Sequence, residues 1–208
     1  MRCTAKADDS KEDNLMKTTT ERAKIERIAL LALLTALVAI LSYLGGFIKI
    51  GGFASISLTL IPVVLGAATC GPIAGAWLGA VSGLIFFTTA DAMFWFGMSI
   101  PGTIITVMIK GIAAGLLAGV TYNLLKNVNK YIAVIVSAIV CPVINTGLFI
   151  CGCFIFFMDA VNNGAAAEGL SVGAYIILFY VGLNFVFELI ANIILSPSVY
   201  RLIEFRKK

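Results

Sequence analysis

The chain has 208 residues, of which 60% are hydrophobic and 12% charged, with mean hydropathy +1.01 and a formal net charge of +4. A soluble domain carries about 25% charged residues, so this composition describes an integral membrane protein with one compact domain. Histidine is absent, which excludes histidine metal sites and any Ser-His or Cys-His catalytic pair.

Residues 1–27 are polar and hold seven of the 15 basic residues and six of the 11 acidic ones. They are expected to be a disordered cytosolic lead, with helix near residues 20–27. The apolar run at 28–48 is long enough to cross a bilayer and has no convincing cleavage site. It is therefore read as a membrane helix and not as a signal peptide. The first span is 28–47. Gly45, Gly46, Gly51 and Gly52 mark the loop after it, with Lys49 between, and 53–57 alternates enough for a short extended piece. The second span, 58–69, is short and contains Pro62; the third is 72–87. Residues 88–100 read as a loop whose Asp91, Trp95 and further aromatics suit the membrane–water interface. Pro101 fits the first turn of a fourth span reaching 125. A polar turn at 127–130 leads to the fifth span, 131–158, with Pro142 as a kink. A Gly/Ala/Asn loop at 159–171 precedes the sixth span, 172–203, which is expected to break near Pro197. The end, 204–208, is a basic cytosolic tail.

The expected fold is an all-α bundle of six transmembrane helices over 28–203, with both termini cytoplasmic. Lys and Arg gather in the lead, at Lys126 and Lys130, and in the tail. The opposite loops hold only Lys49 beside Asp91, Asp159 and Glu168, which satisfies the positive-inside rule. The five cysteines, Cys3, Cys70, Cys141, Cys151 and Cys153, are odd in number, and four lie in apolar surroundings. Reduced thiols acting as small hydrophobes suit them. Cys151 and Cys153 point to different sides of a helix.

The chain is organised around residues 56–87, which carry no charge over 32 residues. Cys70-Gly71-Pro72 breaks two apolar runs into a tight hairpin. Gly71, Gly75, Gly79 and Gly83 then fall every fourth residue, leaving bare backbone on one helix face for a close neighbour. The fourth span repeats the device with Gly111, Gly115 and Gly119. Its Thr103, Thr106 and Lys110 lie on another face, rotated by roughly 150°.

Two charges remain at bilayer depth, Lys110 and Glu188. Each costs a few kcal/mol and needs a partner or a wet cavity. Asn145 in the fifth span sits at similar depth. Tyr180, Asn184 and Glu188 form an i, i+4, i+8 stripe on the sixth. These groups predict an outward-facing pocket between the last three spans, capped by the loops at 49–57, 88–100 and 159–171. Two readings stay open for each. Lys110 and Glu188 either pair to hold two helices together, or Lys110 meets an anionic ligand. Asn145 and Asn184 are interhelical glue or ligand contacts. Trp95 belongs to an interface belt or to a ligand lid. There is no G-x-x-x-x-G-K-[ST] phosphate loop, so the chain does not hydrolyse ATP itself. There is also no H-E-x-x-H, aspartate cluster or G-x-S-x-G, so no enzyme is expected, and no cofactor or metal.

The pattern IPVVLGAATCGPIAGAWLGAVSGLI at 61–85, preceded by FASISLTL, resembles the S components of energy-coupling-factor (ECF) vitamin transporters. PGTIITVMIKGIAAGLLAG at 101–119 and AIVCPVINTGLFICGC at 138–153 resemble the same group. The likeness covers about residues 28–203. It implies a subunit of a bacterial cell membrane that binds one vitamin or micronutrient with high affinity at the outer side. It further implies docking on a transmembrane T component and two cytosolic ATPases. Their ATP hydrolysis topples the S component and releases the ligand inside. The partners expected are these subunits, the ligand and the bilayer, with no nucleic acid. Family members commonly dock through A-x-x-x-A on the first helix, which Ala32 and Ala36 match here, with Ala29 and Ala39 nearby. Ligand contacts in the family come mainly from the last three helices and the outer loops. That gives Thr106, Lys110, Asn145, Asn184, Glu188 and Trp95 as candidates. A pocket lysine favours a carboxylate or phosphate, so pantothenate or a folate-like molecule would fit. The preference disappears if Glu188 neutralises Lys110. The alternatives are a free-standing secondary transporter or channel gated by Lys110 and Glu188, and a structural protein whose polar groups only join helices.

Overall fold

The computed structural model describes residues 2–45, 49–50, 54–55 and 58–205. The polypeptide divides into Met1–Leu33 and Leu34–Lys208. The first unit is one stretch of helix, with Lys24 Nζ bonded to Glu21 Oε1 at 3.0 Å on its surface. It belongs to α1, Arg2–Gly45, so the lead expected to be disordered enters this structure as helix.

The second unit carries the end of α1 and every later element. A two-residue antiparallel ladder pairs β1, Lys49–Ile50, with β2, Ala54–Ser55. The expected extended piece survives there, while Phe53, Ile56 and Ser57 lie outside the described residues, as do 206–208 of the tail. Helix α2, Leu60–Cys70, and α3, Pro72–Phe86, form the expected hairpin. Gly71 joins them at φ 98°, a left-handed conformation that L side chains rarely adopt. Pro72 then opens α3 where its missing N–H costs nothing.

Helix α5, Ile100–Leu125, packs against α2, α3, α4 and α6, and its seam with α3 is backbone on backbone. A Cβ at Gly79 would fall on the carbonyl of Gly111, and one at Gly75 or Gly115 on the carbonyl of the other. A Cβ at Gly119 would come 2.6 Å from Cα of Pro72. The two glycine series read from the sequence thus meet each other. Helix α6, Lys130–Phe156, starts at Asn129, whose side-chain oxygen accepts from the N–H groups of Tyr131 (2.9 Å) and Ile132 (3.2 Å).

Two expected loops are helices instead. Residues 88–100 contain α4, Ala90–Met98, and 159–171 contain most of α7, Met158–Ala167. Each turns sharply against its neighbour: α3 to α4 by 83°, and α7 to the following segment by 94°. The sixth span breaks as well, although not at Pro197, which lies inside α9. After α8, Val172–Tyr175, the backbone runs as π-helix over Ile176–Val181 and resumes as α9, Gly182–Phe205.

Among the described residues four helices are long and apolar enough to cross a membrane: Lys24–Gly45 within α1, then α5, α6 and Asn184–Phe205 within α9. The count reaches six if each bent pair is one span. At 1.5 Å per residue α2 and α3 are roughly 16 Å and 22 Å long, shorter than a bilayer core of about 30 Å. One core cluster, Tyr122, Ala133, Val134, Val199 and Ile203, closes the bundle near the α5–α6 turn. A second, around Cys153, Phe157, Val161, Ile176 and Tyr180, closes the end where α4 and α7 lie. Among the described residues no disulfide forms; Cys151 is exposed and Cys153 buried, as their spacing predicts.

Candidate functional site

Between the seam and the second cluster, inside unit Leu34–Lys208, lies a cavity of about 170 Å³. All six expected ligand contacts line it: Trp95, Thr106, Lys110, Asn145, Asn184 and Glu188. The pocket is wider than the last three spans, because α1, α2 and α3 also contribute walls.

Helix α5 supplies one wall. Held to α3 by its glycine face, it turns Thr103, Thr106 and Lys110 to the cavity. The Thr103 hydroxyl is shared between the carbonyls of Ser99 (2.7 Å) and Trp95 (2.9 Å), so it ties α4 to the start of α5. The Ser99 side chain caps that start, accepting from the Gly102 N–H at 3.2 Å. Thr106 is buried, and its hydroxyl has no hydrogen-bond partner. Gly152 of α6 leaves room for it, since a Cβ there would collide with the threonine side chain.

The Lys110 ammonium lies 5.0 Å from the ring centroid of Phe149 and 5.9 Å from that of Phe86. Aromatic faces stabilise a cation at this range. Among the described residues no carboxylate lies within the 4.0 Å that would make an ion pair with it. The direct bridge between Lys110 and Glu188, one of the two readings of these charges, is therefore not formed. Glu188 does stand within electrostatic range of the lysine.

Glu188 is only 1% exposed. Asn184, one turn earlier on α9, donates from Nδ2 to Glu188 Oε1 at 3.2 Å. Turning the amide over would set its oxygen against a carboxylate, so chemistry fixes this orientation. Asn184 Oδ1 is left buried without a partner. Asn192 Nδ2 donates to the Glu188 carbonyl at 2.8 Å. The asparagines of α9 thus bond along their own helix rather than across to a neighbour, so interhelical glue does not describe Asn184. Asn145 faces the same space from α6, beside Thr146.

Trp95 forms the roof. Its ring lies 5.2 Å from Phe149, 5.2 Å from Phe157 and 5.1 Å from Tyr180. It is thus part of an aromatic cluster bounding the cavity, more than a belt residue. The π-helical segment brings Tyr180 and Val181 to the wall ahead of Asn184. Such segments interrupt helices most often at functional sites.

Among the cavity hydroxyls that escaped the sequence reading, three are linked. Ser42 Oγ donates to Ser82 Oγ at 3.4 Å, and Ser82 Oγ to Thr59 Oγ1 at 3.5 Å, linking α1, α3 and the start of α2. Lone hydroxyls in apolar runs carry no periodic signal, so only the packing reveals them. Asp91 is a further acidic lining group, on α4. Ala36 is exposed and is not among the lining residues, and Ala39 is half-buried; in the first unit Ala29 and Ala32 are exposed. Among the described residues no group of three or more metal-ligating side chains forms.

A family model described as "ECF transporter, substrate-specific component" matches residues 26–203. No curated protein matches the chain, and no solved structure does.

Proposed function

The chain belongs to the substrate-specific components of ECF transporters, a family of multi-pass membrane transport subunits, and on that premise we propose that it binds a vitamin or related micronutrient with high affinity in the cavity beneath Trp95. One observation carries this reading: polar groups from three helices face one space, together with an aromatic roof. Intramembrane charges are costly and are retained where they serve a ligand or ion path. Lys110 and Thr106 offer donors to an anionic group, and pantothenate or a folate are anions of the expected kind. The energy comes from partners, a T component and two cytosolic ATPases, since this chain has no phosphate loop. Ala32 and Ala36, four residues apart in the sequence and each exposed, are the residues assigned to docking on the T component. The basic lead, Lys126 and Lys130 favour cytoplasmic termini in a bacterial plasma membrane.

Tryptophan fluorescence of the purified chain, titrated with a vitamin panel, tests the site. Saturable quenching by one compound, abolished in Lys110→Ala, is the expected result. Normal binding by that variant removes Lys110 from the site. Uptake into vesicles with and without the T component and ATPases tests the transport class. Uptake by this chain alone would make it a free-standing transporter.

A further inference from the structure

We propose that the ligand is a small amphoteric solute, about one ring in size, with a carboxylate toward Lys110 and Thr106 and an N–H or O–H donor toward Asn184 and Glu188. The proposal rests on the reading of the cavity as the substrate site.

Size comes first. A dry protein cavity of about 150 Å³ takes a benzene molecule, and drug-sized ligands occupy about 300–1,000 Å³. The 170 Å³ here belongs with the former.

Polarity comes second. Lys110 and Thr106 are four residues apart on one helix, and both line the cavity. An ammonium offers only donors. The Thr106 hydroxyl is buried without a partner, a state that costs free energy unless something accepts from it. A carboxylate offers two oxygens and can accept from both. The Asn184–Glu188 pair has the opposite character. Asn184 Nδ2 is already spent on Glu188, so the pair shows the cavity an acceptor, the unpartnered Asn184 Oδ1, beside a carboxylate. Only a donor satisfies that oxygen.

The test is calorimetric titration of the purified full chain in detergent. The probes are 4-aminobenzoate and 4-hydroxybenzoate, the controls benzoate (no donor) and the two corresponding amides (no acid), and the larger molecules pantothenate, riboflavin and folate. A one-ring acid with an amino or hydroxyl group is expected to bind best. Removing its acid or its donor is expected to weaken binding about 10–100-fold, the scale of a charged or buried hydrogen bond. Lys110→Gln should erase the preference for acid over amide. Thr106→Val should reduce it, and it serves if the lysine variant fails to fold. If the tightest binder is multi-ring or lacks a carboxylate, the solute class is overturned while the substrate-subunit reading stands. A flat response to every probe, from folded and ligand-free protein, overturns both.

Discussion

The two sides of α5 are built on opposite principles. Toward α3 it shows Gly111, Gly115 and Gly119, and the helices meet through backbone with no side chain between. Toward the cavity it shows Thr103, Thr106 and Lys110, and space remains. The first side is fully committed and leaves no slack. The second keeps an ammonium on aromatic faces and a hydroxyl with no partner. The difference teaches that a membrane protein can hold costly polar groups at depth when the helix bearing them is fixed from behind.

The largest effect should come from breaking the rigid side. In Gly79→Ala the new methyl lands on the Gly111 carbonyl, which is backbone and cannot swing away. Overpacking costs about 1–3 kcal/mol, and a backbone clash belongs at the upper end. Thermal unfolding in detergent should fall sharply, with binding lost alongside. An unchanged midpoint would show that the seam is looser than described. On the open side, Lys110→Gln should leave the midpoint near that of the parent chain while ligand affinity drops about 10–100-fold. A large fall in stability instead would make the lysine structural. Thr103→Val separates the two roles further. It removes the hydroxyl bonded to the Ser99 and Trp95 carbonyls, at a cost of about 1 kcal/mol. The emission maximum of Trp95, read in a Trp77→Phe background, should shift as α4 loosens. The smallest effect is predicted for Gly147→Ala. This glycine lies within α6 with nothing within 4 Å of an added Cβ. Helix propensity should raise stability by about 0.5–1 kcal/mol, with binding unchanged.

Much of this contrast was legible in the sequence, because glycines every fourth residue and polar groups at i, i+4, i+8 are periodic signals. The turn at Gly71-Pro72 and the helix start at Pro101 follow from local chemistry. Helices α4 and α7 were less visible. In α7 the Asn and Gly residues suggest a loop, but Phe157, Val161 and Ala165 recur every four residues and are all buried, which is a helical signal. In α4 the aromatics suit an interface belt, and only packing around Trp95 shows them to be a roof. The π-helical segment has no sequence signature, since it depends on how Ile176–Val181 packs against neighbours remote in the chain. The Ser42–Ser82–Thr59 hydroxyl chain is hidden for the same reason.

The glycine seam has a consequence for how such a chain can change over time. Where two backbones touch, one amino acid satisfies the position and drift is forbidden. Across the same helix, each wall residue can be exchanged without disturbing the fit behind it. Descendants of one ancestral scaffold could thus acquire unrelated cargoes by rewriting a handful of letters, with the framework inherited intact.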